Sequence, residues 1–447
     1  MVAAGLTVVA GSAVSQEGGL TFSGRFAESL EFSDNPDFTE DFSGTALTSR
    51  TTLGFGLASV TAAQSLALDL GAAWRYTLST SDNQPTREGL TDPFVRLDYE
   101  RNSATSLLGF DASYSESDTG DLNFVTDPDS QDIIVDDDGT VARTTLNFGL
   151  DTGIGEPFGL SVDAGYSRRT YFDTTDPDLV DNETFDLRGV ARFRITPTTD
   201  ANLIGAYIDD REFDTVDGYE RSTVRLGAGI DHEISGTQRF GFDVTADTID
   251  TTESGATTTE EGYSFILAYD QDLMNGGFSV EASSILENIG TRNSVSFSRS
   301  LDLPDGGLFL LVGLTNNDTS DVNALIGVDY TRDLSDGQLT ARVRQDVTQS
   351  STEDNEFLNR LISIDYAKEV NSVSGWQTSI GYNESEDLSN GSVDSQARFE
   401  ISYRRDLTQD WDIVTGYRYR EQRSTDENDR TSNTVFLTLQ RDFQGRP

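Results

Sequence analysis

Leu66-Ala67-Leu68-Asp69-Leu70-Gly71-Ala72-Ala73-Trp74-Arg75-Tyr76 alternates strictly: Leu66, Leu68, Leu70, Ala72, Trp74 and Tyr76 share one face of an extended chain, and Asp69 and Arg75 share the other. Side chains of a strand point to opposite faces in turn. The apolar face is therefore closed by aromatics and backed by charge. The pattern returns as Leu108, Phe110, Ala112, Tyr114; as Leu160, Val162, Ala164, Tyr166; as Phe265, Leu267, Tyr269; as Ala324, Ile326, Val328, Tyr330; and as Phe399, Ile401, Tyr403. An apolar band edged by aromatic girdles, over a polar opposite face, is what a closed transmembrane β-barrel requires. A soluble sheet has no need of the girdle.

Working outward from this stretch, the alternation predicts an all-β fold, a transmembrane antiparallel up-and-down β-barrel of about 22 strands (range 18 to 24) with no plug domain. Short Gly-, Asn- or Pro-rich connections such as 235–237, 275–277, 304–306 and 335–337 alternate with longer acidic ones at 79–91, 119–138, 173–182, 251–258 and 350–355. Outer-membrane barrels keep short turns on the periplasmic side and long loops outside. With that polarity, Tyr76, Tyr114, Tyr166, Tyr207, Tyr382 and Tyr419 close outward-running strands, and Tyr99, Tyr269, Tyr330, Tyr366 and Tyr403 close inward-running ones. Two belts result from one rule. The last strand, with Leu437, Leu439 and Phe443 on its lipid face as the assembly signal, is expected to pair with the first.

Composition narrows the class. Hydrophobic residues make up 35% of the 447, and no run of 18 apolar residues occurs, so no transmembrane helix is encoded. The strands keep one character throughout, which predicts a single barrel domain over 17–447 behind a signal-peptide remnant at 1–16, where Met1 to Val14 is small and apolar. Asp and Glu number 77 against 32 Lys and Arg, a formal charge of -45, which argues against a nucleic-acid partner. There is no cysteine, and His232, the one histidine, falls on an apolar face, so neither a thiolate site nor a Ser-His nucleophile is available. The reading is a non-enzyme without a cofactor. Lys368 is the sole lysine; every other cation is arginine, which pairs with carboxylates bidentately.

By the same parity the inward face carries Arg75, Arg96, Arg143, Arg188, Arg192, Arg194, Arg225, Arg342, Arg344, Arg398, Arg404, Arg418 and Arg420, with Asp69, Asp98 and Asp111. Asp151, Asp163, Asp186, Asp231, Asp243, Asp329, Asp365 and Glu400 share it. Two readings stand side by side. These charges tune permeation along a polar pathway, or they cross-link neighbouring strands and stiffen the wall. On the first reading, reversing Arg418 and Arg420 together to Glu shifts ion selectivity while the barrel folds. Asp127, Asp129, Asp136 and Asp138, in one acidic connection, offer oxygen ligands suited to calcium but lack EF-hand spacing, and a solvated loop accounts for them as well.

The opening Leu30-Glu31-Phe32-Ser33-Asp34-Asn35-Pro36, the many alternating hairpins, and the closing Val435-Phe436-Leu437-Thr438-Leu439-Gln440-Arg441-Asp442-Phe443 together resemble the second family of bacterial β-barrel porins. The resemblance implies the outer membrane of Gram-negative bacteria and, for some members, an association with exopolysaccharide export; the partners expected are membrane lipid, lipopolysaccharide and the barrel assembly machinery. It carries no catalytic residues. The tail Gln444 to Pro447 departs from the family's terminal aromatic. The functional expectation is a passive porin or conduit for polar solutes or an exported polysaccharide. Its rival is a non-conducting scaffold or adhesin that binds through acidic external loops.

Overall fold

The computed structural model describes residues 19–36, 38, 44–80, 87–118, 139–174, 179–213, 218–318, 321–349, 355–425 and 429–445. These form 22 strands: β1 Gly19–Ser33, β2 Ala46–Val60, β3 Gln64–Ser79, β4 Arg87–Asn102, β5 Ser106–Asp118, β6 Thr140–Thr152 and β7 Phe158–Phe172. There follow β8 Asp181–Thr196, β9 Thr199–Phe213, β10 Tyr219–Ser235, β11 Gln238–Glu253, β12 Ala256–Leu273, β13 Gly276–Glu287, β14 Gly290–Leu303 and β15 Gly306–Asn316. The last seven are β16 Asn323–Leu334, β17 Gly337–Gln349, β18 Glu356–Asn371, β19 Ser374–Asp387, β20 Val393–Asp406, β21 Trp411–Ser424 and β22 Arg430–Gly445. Each pairs antiparallel with its successor, and β22 returns to β1 through a ladder from Phe22 opposite Gly445 to Ser33 opposite Thr434. The sheet is a closed barrel.

Closure follows from the solvent, because an unpaired strand edge in lipid leaves backbone groups with no partner. With strands about 4.8 Å apart and tilted about 40°, 22 of them make a backbone cylinder about 44 Å across. Its stability resides in these ladders rather than in a packed centre. Among the described residues only ten apolar side chains are buried, four of them alanine. The large apolar residues lie on the outside instead, with Leu53, Val312 and Leu226 each about 60% exposed. A continuous exposed apolar band of this size belongs against lipid.

Which face is inner is settled by contacts that skip strands. Arg225 on β10 donates to the carbonyl of Leu286 on β13 at 3.2 Å, and Arg292 on β14 meets Glu356 on β18 at 2.7 Å. Side chains of strands three and four apart converge only on the concave side of a wall. Arg225 and Arg292 are thus inward, and register carries that assignment around the barrel, since residues directly opposite in a ladder share a face.

Three local features differ from the alternation pattern. β4 begins at Arg87, before the 79–91 connection expected from sequence has ended, because Asp92 and Pro93 together oppose Ala72 in a β-bulge. Asp92 takes a positive φ of 52° there, and Pro93, with no N–H to give, suits the interrupted ladder. The extra residue reverses parity along β4, so Leu90 faces Trp74 on the outside, while the Asp92 carboxylate reaches Arg50 at 2.6 Å. The expected loop 251–258 is instead the end of the β11–β12 hairpin, turning at Ser254 and Gly255, both with φ above 50°. Its threonines read as loop by polarity, yet they are β-branched and pair across the ladder, Thr252 Oγ1 lying 2.9 Å from Thr257 Oγ1. At the other end of the chain, Gln444 and Gly445 are not a tail beyond the wall, because they extend β22 opposite Ser23 and Phe22.

Candidate functional site

The inner face falls into two kinds of surface. On β20, β21, β22 and β1 the charges are joined to one another. Glu400 accepts from Arg398 at 2.7 Å and from Arg418 at 2.8 Å, and the Arg418 guanidinium also lies 5.4 Å from the ring centre of Phe436. A second chain crosses the closing seam: Arg404 donates to Asp412 at 2.8 Å, Gln440 to the same carboxylate at 2.7 Å, and Arg25 to Gln440 at 2.8 Å. Arg420, 7% exposed, lies over the ring of Phe38 at 4.8 Å. Farther round, Asp329 on β16 accepts from both Arg342 and Arg344 on β17, at 2.6 and 3.3 Å. Charge-assisted bonds of this kind hold adjacent strands in register.

The second surface lies on β6 to β11. In the connection between β6 and β7, residues 153–157, the chain turns through Gly153 and Gly155 at φ of +70° and +79°. Arg192 donates to the Gly153 carbonyl at 3.1 Å and Arg194 to the Gly155 carbonyl at 2.9 Å, which fixes the turn. A cavity of about 300 Å³ opens above it, lined among others by Ile154, Ser161, Arg188, Val190, Arg192, Asn202, Ile204, Asp231 and Asp243. Asn202 donates to Asp231 at 2.6 Å, and Ser161 to Asp151. Arg188 stands directly opposite Asp163 in the β7–β8 ladder, yet it makes no hydrogen bond and no ion pair within 4.0 Å. Asp163, Asp186 and Asp243 likewise have no such partner.

The remaining predicted positions are placed as follows. Arg75 reaches Asp118 at 2.9 Å; Arg96, opposite Asp69, reaches Asp98 at 3.2 Å, with Asp111 opposite Asp98 on β5. Arg194 also contacts Asp200 at 3.4 Å and Arg225 contacts Asp247 at 3.7 Å, while Arg143 lies opposite Arg169 on β7. The tyrosines share the outer face with their apolar neighbours; four of the outer belt donate to a carboxylate nearer the rim, Tyr114 to Glu116, Tyr166 to Glu183, Tyr382 to Glu384 and Tyr419 to Glu421. A Tyr-x-Glu spacing at residues 114–116, 382–384 and 419–421 is the sequence signal for three of these, and it is separate from the apolar alternation. His232 is on the outer face, bonded to Thr199 at 3.0 Å. In β22, Leu437 and Leu439 face out with Phe443, and Thr438 faces in opposite Ser29. Asp127, Asp129, Asp136 and Asp138 lie outside the described residues, as do residues 1–16, where a signal-peptide remnant is expected.

The 153–157 turn, the cavity and the Glu287–Arg292–Glu356 link at 2.8 and 2.7 Å leave no trace in the alternation of the sequence. The glycines at 153 and 155 are the signal available for the first.

No protein-family model matches the chain, and no curated protein sequence does. Solved structures do. The ferric-catecholate import receptor Fiu from E. coli K12 superposes with a TM-score of 0.58 at 9% identity, covering 97% of this chain and 82% of that one. The FrpB iron transporter from Neisseria meningitidis gives 0.58 at 7%, covering 96% and 83%. A mutant of the ferric enterobactin receptor PfeA from Pseudomonas aeruginosa, in complex with enterobactin, gives 0.56 at 9%, covering 96% and 82%. At such identities the likeness is one of fold. Together with the apolar outer band and its aromatic edges, it makes the chain a large outer-membrane β-barrel.

Proposed function

We propose that the barrel is the wall of an outer-membrane passage for small polar solutes, working without catalysis. The observation that carries this reading is the set of inward charges the wall leaves unpaired, Asp163, Asp186, Arg188 and Asp243. A charge needed only to stitch strands finds a partner, whereas a charge facing a water-filled route serves whatever passes. Barrels of 16 to 18 strands already leave an aqueous channel, and this one is wider. Among the described residues every segment is a strand of the wall or a connection between two strands.

A second reading is favoured by the neighbours in fold, which are iron and siderophore receptors. In it the chain is a gated importer, its lumen filled as the lumen of 22-stranded transporters is. Reconstitution into planar bilayers separates the two. A steady ohmic conductance, selective among small ions, supports the passage. A silent barrel that takes up one solute selectively supports the gated importer, and a silent barrel with no uptake at all returns the scaffold reading.

A further inference from the structure

The cavity above the 153–157 turn has its charges divided into two groups. Arg192 is committed to the Gly153 carbonyl, Asp231 to Asn202 and Asp151 to Ser161. Arg188 and Asp243, which line the same cavity, make no hydrogen bond and no ion pair within 4.0 Å. They do not reach each other either, being more than 4.0 Å apart on β8 and β11. Asp243 lies over Gly229, on the adjacent strand, where any side chain would collide with its carboxylate. A guanidinium and a carboxylate that both line a space of about 300 Å³ without touching, at the lower end of the range for small-molecule sites, suit one solute carrying both opposite charges. Between them Ile154, Val190 and Ile204 supply an apolar lining.

We infer that this cavity binds a small zwitterion of the α-amino-acid type, its carboxylate on Arg188, its ammonium on Asp243 and an apolar side chain against Ile154, Val190 and Ile204. Arginine is suited to the first contact because its planar fork takes a carboxylate bidentately. The neighbouring pairs Asn202–Asp231 and Ser161–Asp151 keep their own bonds and thereby hold the rim of the site in place. The inference rests on the passage reading for how the solute arrives, but not for whether it binds.

Titration calorimetry of the full-length, detergent-solubilised barrel tests it with three matched probes: valine, isovalerate (which lacks the ammonium) and isobutylamine (which lacks the carboxylate). Valine is expected to bind saturably and at least tenfold tighter than either. Arg188→Gln and Asp243→Asn should each weaken valine at least tenfold while the barrel stays compact on unheated gels. Equal binding of valine and isovalerate, undiminished binding in both variants, or no saturable binding of valine overturns the site. Because calorimetry needs no current, a barrel that binds valine yet is silent in bilayers removes the passage and keeps the site. A conducting barrel that does not bind valine does the reverse.

Discussion

The wall near β20, β21 and β22 and the wall near β7, β8 and β11 carry the same kinds of residue, arginine and carboxylate on an inward face, and use them oppositely. In the first, Glu400 holds two guanidiniums and a chain of side chains from Arg404 through Asp412 and Gln440 to Arg25 crosses the seam where the barrel closes. In the second, Arg188 stands opposite Asp163 and does not touch it. Charge content therefore does not separate structure from function here; pairing does. The stitched wall spends its charges on register, where a slip of one residue would turn every side chain to the wrong face. The second wall pairs some of its charges but leaves Asp163, Asp186, Arg188 and Asp243 without a partner, and on the proposed reading these are the ones a solute meets.

The comparison presupposes that both surfaces face the lumen, so the largest expected effect tests the faces themselves. Leu437→Arg places a cation on the lipid side near mid-membrane, at a cost of about 2–4 kcal/mol, and should deplete heat-modifiable protein in the outer membrane. Thr438→Arg, one residue on and inward, should be tolerated; equal behaviour of the two would dissolve the comparison. Next, Glu400→Ala leaves Arg398 and Arg418 facing each other without their shared anion. With all three side chains under 25% exposed, it should destabilise the barrel by about 2–3 kcal/mol, read as a lower temperature for loss of the compact band. Arg404 is 57% exposed, and Arg404→Gln should cost only about 0–1 kcal/mol in the same assay. Smallest of all, Arg188→Gln should change stability by less than about 0.5 kcal/mol. It should nonetheless shift the reversal potential of the reconstituted barrel toward cations. A stability loss at Arg188 as large as that at Glu400 would erase the distinction.

Much of the architecture was legible because alternation of period two reports faces directly, and the number and order of strands follow from where it stops. It failed where the period was interrupted. At Asp92 and Pro93 the bulge reverses parity, and residues 87–91 then read as loop although they complete β4. At 251–258 the threonines satisfy a strand's steric preference while lacking the apolar signal that alternation depends on. The inward arginines could be assigned to a face, but not to a partner, because pairing depends on register and side-chain reach between strands. The expectation that reversing Arg418 and Arg420 changes selectivity with folding intact is revised for that reason. Arg418 is held by Glu400 and Phe436, and Arg420 lies against Phe38, so the pair belongs to the stitched wall, and on the proposed passage Arg188 is the residue expected to report on permeation.

The ladder between β1 and β22 leaves Gly19 and Gly445 on the same rim, with Phe22 opposite Gly445. A wall closed by its own two ends is a ring, and a ring has no first strand. Joining those ends by a short linker and opening the chain at Ser335 and Asp336 would give a circular permutant with every one of the 22 strand pairings intact. What it would change is order in time: β16, rather than β22, would be the last strand delivered to the membrane. The finished wall is indifferent to that order, and any difference in yield between the two chains would belong to the insertion process alone.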